Sequence, residues 1–227
     1  MKNLQMLACL LTLVVLKSYG QANLDKIEWV EGEVNTGETI LTGGIGMDAT
    51  TREGTLLLKT EQGIKAYPPD KVVSFFFIDQ RKGAADTVFF ETVQTKYTDK
   101  PTNQRSFQRL VRKGPYYSLY KSYVPDRKAM GFILPPISGW IVVGFFTYVE
   151  SEEMLFLEKR GTAFQISRPR NMLEEEGYNA TAKIDQSAFY DVVEPYAQQV
   201  KSFIKSNRLK FKKAEDMEKI VDYLNTL

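Results

Sequence analysis

The sequence predicts an α+β protein: an antiparallel β body over residues 21–166, closed by a C-terminal segment, 167–227, of two or three helices packed on it. Three observations lead there. Between Ile27 and Ile166, short β-branched and aromatic runs alternate with turn residues. From Asp185 onward the apolar period becomes helical. An apolar content of 43% with 26% charge is that of a folded globular chain. Several hairpins in succession favour antiparallel neighbours, so the β body is expected as a curled sheet or partial barrel.

The chain opens with a leader-like segment. Met1-Lys2-Asn3 is a short basic start, Leu4 to Leu16 an apolar run too short to span a bilayer, and Ser18-Tyr19-Gly20 places small residues at −3 and −1 of a cut before Gln21. Residues 1–20 are therefore expected to be a signal peptide. Cys9 does not make a lipoprotein site of it, because most of the apolar stretch follows that cysteine.

The β body reads as a series of hairpins. Val30 to Val34 and Thr39 to Thr42 flank Asn35-Thr36-Gly37, and Thr55 to Thr60 and Ile64 to Tyr67 flank Glu61-Gln62-Gly63. Pro68-Pro69-Asp70 breaks the chain before Val72 to Ile78, a strand apolar except at Ser74 and of the kind buried on both faces. Thr87 to Thr92 is a further strand. Ser106 to Arg112 and Tyr116 to Tyr123 flank Lys113-Gly114-Pro115, and Met154 to Leu157 and Thr162 to Ile166 flank Glu158-Lys159-Arg160-Gly161. Between these last two hairpins, Ala129 to Val149 has no charged residue. Pro135-Pro136 and three glycines argue against a membrane helix there. A buried strand after a proline loop, or an exposed apolar docking segment, fits the β-prone composition better.

In the tail, Phe189, Val192, Val193, Tyr196, Val200, Phe203 and Ile204 follow helical spacing. Pro195 is expected to end one short helix and open the next at its first turn. Asn207 is a plausible stop, and Met217, Ile220, Val221, Leu224 and Leu227 mark a last amphipathic helix.

Composition removes whole chemistries. The chain has no His and one Cys, which excludes imidazole bases, His-ligated metals, Ser-His-Asp machinery and an intrachain disulfide. The leader holds Lys2 and Lys17 and no acid, which leaves 28 basic residues against 28 acidic ones. A balanced body gives no support to nucleic-acid binding, and no cofactor or metal is expected. Gly44-Ile45-Gly46-Met47-Asp48-Ala49 has the glycine spacing of a dinucleotide turn, but Thr50-Thr51-Arg52-Glu53-Gly54 cannot open the required helix, so it reads as a loop.

Two surface candidates remain. Lys201, Lys205, Arg208, Lys210, Lys212 and Lys213 form a basic cluster able to meet anionic groups, or a solvated face balanced by Glu215, Asp216, Glu218 and Asp222. Tyr116, Tyr117, Tyr120 and Tyr123 would make a stacking platform for a sugar or protein if they face solvent, and sheet core if they do not. Glu174-Glu175-Glu176 cannot converge on one site from a helix, and Asn179-Ala180-Thr181 fits a glycosylation acceptor. Acids such as Glu31, Glu33, Asp48 and Asp79 could serve glycoside hydrolysis only if the fold pairs two of them.

Glu31-Gly32-Glu33-Val34, Gly54 to Thr60, Tyr67-Pro68-Pro69-Asp70-Lys71-Val72 and the tail from Val200 to Asp216 resemble exported hypothetical proteins of Bacteroidota-type bacteria. The resemblance implies a small β-rich body with a helical end, periplasmic or extracellular, and it brings no catalytic residues with it. The expected function is an exported, non-enzymatic accessory or binding protein whose partner is a protein or a glycan. The alternatives are a carboxylate-based glycan hydrolase and an envelope-associated protein using the basic helix. No transmembrane span is expected after the leader.

Overall fold

The computed structural model describes residues 27–48, 54–79, 85–98, 103–137, 140–167 and 183–227, with the backbone alone of residues 48, 123–137 and 140–153. The leader with Cys9, Glu174-Glu175-Glu176 and the Asn179-Ala180-Thr181 acceptor lie outside these residues. The described strands are β1 (Val30–Asn35), β2 (Ile40–Asp48), β3 (Thr55–Thr60), β4 (Gly63–Tyr67), β5 (Ser74–Asp79), β6 (Asp86–Lys96), β7 (Gln104–Arg112), β8 (Tyr117–Ile137), β9 (Trp140–Lys159) and β10 (Thr162–Gln165). They form one sheet in the order β10-β9-β8-β7-β6-β5-β1-β2-β3-β4. Three helices follow, α1 (Gln186–Val192), α2 (Ala197–Ser206) and α3 (Ala214–Leu224), so the chain is α+β.

Strands β6 to β10 curl into a partial barrel. β10 returns to β6 and pairs with it parallel, Thr162 opposite Gln94 and Phe164 opposite Lys96. The seam has to be parallel, because an antiparallel meander of five strands ends in the direction in which it began.

Strand β6 belongs to two cores, and its alternation shows how. Even positions face the N-terminal sheet, where Phe90 stacks on Phe75 at 4.7 Å and Phe107 meets Phe75 edge-on at 5.3 Å. Around them Val34, Ile45, Leu56, Leu58 and Val72 are buried. Odd positions face the barrel, where Val93 joins Tyr97, Tyr120, Met154, Phe156 and Ala163. A third core lies outside the barrel wall. There Leu119 and Leu157 receive Phe189, Val200, Met217, Ile220, Val221 and Leu224 from the helices. The Asp185 carboxylate accepts from the Ser187 and Ala188 N–H groups and so caps α1, a contact of about 1 kcal/mol.

Three expectations need correction. Gly44 and Gly46 are not in a loop but in the middle of β2. Their missing side chains let the preceding segment cross the strand: a Cβ on Gly46 would come within 2.4 Å of Ile27 Cγ2. Pro195 lies outside α2 rather than in its first turn, because the Tyr196 N–H closes a turn on Val193 O before the helix begins. Residues 129–149 do not make one strand after a proline loop. They are both arms of a hairpin, with β8 running through Pro135 and Pro136 to Ile137 and β9 starting at Trp140. The prolines, which cannot donate, fall where the register shifts between Leu134 and Ile137. No helix among the described residues is long and apolar enough to cross a membrane.

Candidate functional site

Two depressions adjoin each other across the β9–β10 turn, and Glu158 and Gly161 line both. The turn itself is Arg160-Gly161, both with positive φ (54° and 82°), as the tight hairpin turns that match strand twist require. The Glu158 carboxylate accepts from the Gly161 N–H at 2.7 Å and holds it in place.

The first depression, about 520 Å³, opens on the barrel and is lined by Glu91, Arg105, Lys113, Tyr120 and Glu158 among others. Register explains its composition: Glu91 stands opposite Gln108, Leu110 opposite Tyr120, and Ser118 opposite Glu158. Interior positions that are apolar at one level (Val93, Phe156, Ala163) thus become polar at the next. Tyr120 donates to Glu91 Oε2, and Lys113 Nζ donates to the same oxygen at 2.6 Å. Burial first, then the Glu91 carboxylate, pushes the Tyr120 phenol well above its ordinary range, so it stays a neutral donor. Deeper in, Thr95 Oγ1 and Ser106 Oγ lie 2.7 Å apart and Gln108 Nε2 donates to Ser106 Oγ at 2.9 Å. These groups engage one another, whereas Gln108 Oε1 and the Thr92 hydroxyl are buried without a hydrogen-bond partner.

The second depression is larger, about 820 Å³, and lies between the barrel and the helices. Tyr116, Tyr117, Tyr196, Glu158, Arg160 and Glu194 are among its walls. Tyr116 is 66% exposed, whereas Tyr117 and Tyr120 are buried at 3% and 1%. One side chain fixes this end of β8. Asn225 Oδ1 accepts from the N–H groups of Tyr116 and Tyr117, both at 2.9 Å, while Nδ2 donates to Tyr117 O at 2.9 Å and to Val221 O at 2.8 Å. Those four bonds use the full capacity of an amide. Gly114 is required beside it, since a Cβ there would lie 2.0 Å from Asn225 Nδ2 and 2.5 Å from Tyr117 O. Lys159 Nζ donates to Val192 O and Glu194 O, satisfying carbonyls at the end of α1 and placing its cation 5.8 Å from the centre of the Tyr117 ring.

The structure therefore divides the tyrosine cluster. Tyr116 is a surface group on the larger cleft, Tyr117 is a buried wall of it, and Tyr120 belongs to the barrel; the Tyr123 side chain lies outside the described residues. Lys201 and Lys205 sit on α2, and Arg208, Lys210, Lys212 and Lys213 on its connection to α3; all six are exposed and none lines either cleft. Lys201 lies 4.6 Å over the Tyr190 ring, and the Lys210 N–H is bound by Asp216. Among the named acids, Glu31 and Glu33 stand two apart on β1 and line neither cleft, and the Asp48 side chain is outside the described residues. The acids that share a cleft are Glu91 and Glu158 on the barrel side, a pair that only strand register brings together, and Glu158 and Glu194 on the helix side. Among the described residues no group of three or more acids, Cys or His could hold a metal ion. No family model, no curated protein and no solved structure matches the chain.

Proposed function

We propose that this chain is an exported, non-enzymatic binding protein whose ligand is a glycan held in the cleft between the barrel and the helices. The observation that supports this reading most is Tyr116, two-thirds exposed on a concave wall of about 820 Å³ and fixed at its backbone by Asn225. A tyrosine held in this way loses little conformational freedom on binding, so its contact area converts to affinity at low entropic cost. Sugars suit the surroundings: ring faces stack on Tyr116, and Arg160, Glu158 and Glu194 supply the charged donors and acceptors that hydroxyls need. The volume is within the range of small-ligand sites.

A screen of the mature protein on a glycan array tests it. Binding to a defined glycan that is lost in Tyr116→Ala is expected, and an array without signal contradicts the reading.

Glu91 and Glu158 support a second reading, a carboxylate hydrolase, because they face one cleft. Glu91 already accepts from Lys113 and Tyr120 on one oxygen, which suits an anchored acceptor better than a proton donor to a leaving group. Hydrolysis of any array glycan that stops in both Glu91→Gln and Glu158→Gln would favour the enzyme instead.

A further inference from the structure

We propose that the glycan of the helix-side cleft is an acidic one and that Arg160 reads its carboxylate or sulfate group, an inference that rests on the glycan reading above. It starts from a residue in an unexpected place. Arg160 opens the β9–β10 turn with a positive φ of 54°. Gly, Asn and Asp suit that position, because a larger L side chain crowds its own backbone there. Gly161, the second turn residue, obeys the rule. An arginine kept in a strained turn, and exposed on a cleft wall, indicates a use other than folding.

The charge of Arg160 is open. Among the described residues its guanidinium makes no hydrogen bond and no ion pair. The other cation of the cleft, Lys159, is spent on Val192 O and Glu194 O. Of the two acids, Glu158 is tied by one oxygen to the Gly161 N–H. Lys159 and Arg160 balance Glu158 and Glu194, so selectivity here rests on placement rather than on net charge.

Placement favours an anion beside Tyr117. That residue is only 3% exposed, yet its hydroxyl makes no hydrogen bond among the described residues. The side-chain atoms sealed in without a partner are Thr92 Oγ1 and Gln108 Oε1, so the Tyr117 hydroxyl reaches the cleft that its ring walls. Burial first, then Tyr196, raises this phenol above its ordinary range, while Arg160 works against them. The phenol therefore keeps its proton and donates, and the guanidinium stands near enough to act on it. Lys159, 5.8 Å from the centre of the same ring, adds positive potential. An open guanidinium next to an open hydroxyl donor is matched by an anionic group with two oxygens, which takes charge-assisted bonds about twice as strong as neutral ones. Glu158 and Glu194 remain for the hydroxyls of the same sugar, and Tyr116 for its ring face.

An array carrying galacturonate oligomers beside their methyl esters, and sulfated galactan oligomers beside their desulfated forms, tests this, followed by calorimetric titration of each pair. In at least one pair the acidic member is expected to bind about tenfold or more tightly than its neutral form, with a smaller margin at high salt. Preference in the first pair assigns a carboxylate, and preference in the second a sulfate. Arg160→Asn should abolish the preference while leaving the melting temperature unchanged or higher, because asparagine suits a positive φ. Arg160→Lys, which keeps a charge without the fork, should retain part of it. Binding that depends on Tyr116 but is equal within both pairs, or confined to neutral glycans, overturns the inference and leaves the glycan reading standing. A preference that survives in Arg160→Asn overturns it as well. The absence of any Tyr116-dependent binding overturns both.

Discussion

The two clefts that meet at the Glu158–Gly161 turn are built to opposite ends. On the barrel side, Lys113 and Tyr120 donate to Glu91 and Gln108 donates to Ser106, with only Gln108 Oε1 of these groups buried without a partner. On the helix side, Asn225 and Lys159 hold backbone groups, while the ring of Tyr116, whose N–H Asn225 binds, is left to solvent. The first arrangement stabilises the chain, and the second keeps a surface ready for something else. Two cavities with shared walls thus differ in how their polar groups are used.

Four substitutions would sharpen or break that contrast. The largest effect is expected beneath the barrel cleft, where Phe156→Ala should cost about 3–5 kcal/mol in denaturant unfolding, because the fully buried ring leaves a void. Asn225→Ala should cost about 2 kcal/mol, since two N–H groups and a carbonyl of β8 lose their partner, and it should also weaken ligand binding by loosening Tyr116.

Tyr120→Phe should cost roughly 1–2 kcal/mol near neutral pH by removing a hydrogen bond to a carboxylate. It should also change the alkaline limb of the stability curve. The folded phenol holds its proton above the pH at which the unfolded one releases it, so above about pH 10 the unfolded state binds fewer protons and stability falls with pH. Losing Tyr120 should flatten that fall, and an unchanged slope would show that folding does not hold the proton on the phenol. The smallest effect on stability, within about 0.5 kcal/mol, is expected for Tyr116→Ala, as for other exposed positions. A large loss there would make Tyr116 a packing residue and remove the contrast between the clefts.

Much of the fold was legible because its hairpins are local. Asn35-Thr36-Gly37, Glu61-Gln62-Gly63 and Lys159-Arg160-Gly161 mark their turns by residue type, and the helical period of the tail is plain. A curled sheet or partial barrel was legible from the run of hairpins, but which strands close it was not, because Thr162 meets Gln94 across a parallel seam that leaves no mark on either segment. Gly44 and Gly46 misled for a similar reason: the segment at Ile27 that needs the space is close in the fold and invisible in a local window. Residues 129–149 showed their apolar character but not that Ile137 pairs with Trp140 to make them two arms of a hairpin. The site was half legible. The tyrosine-rich stretch was visible, yet its division into Tyr116 outside and Tyr120 inside depends on β-register and on Asn225, more than a hundred residues away. The Glu91–Glu158 pair has no sequence signal, since their spacing becomes meaningful only once five strands have curled.

The most direct test is a calorimetric titration of the best array glycan into wild type, Tyr116→Ala and Glu91→Gln side by side. Saturable binding by wild type and Glu91→Gln, with Tyr116→Ala at least tenfold weaker, is the predicted result. Binding that survives in Tyr116→Ala and disappears in Glu91→Gln would place the ligand in the barrel cleft and contradict the account.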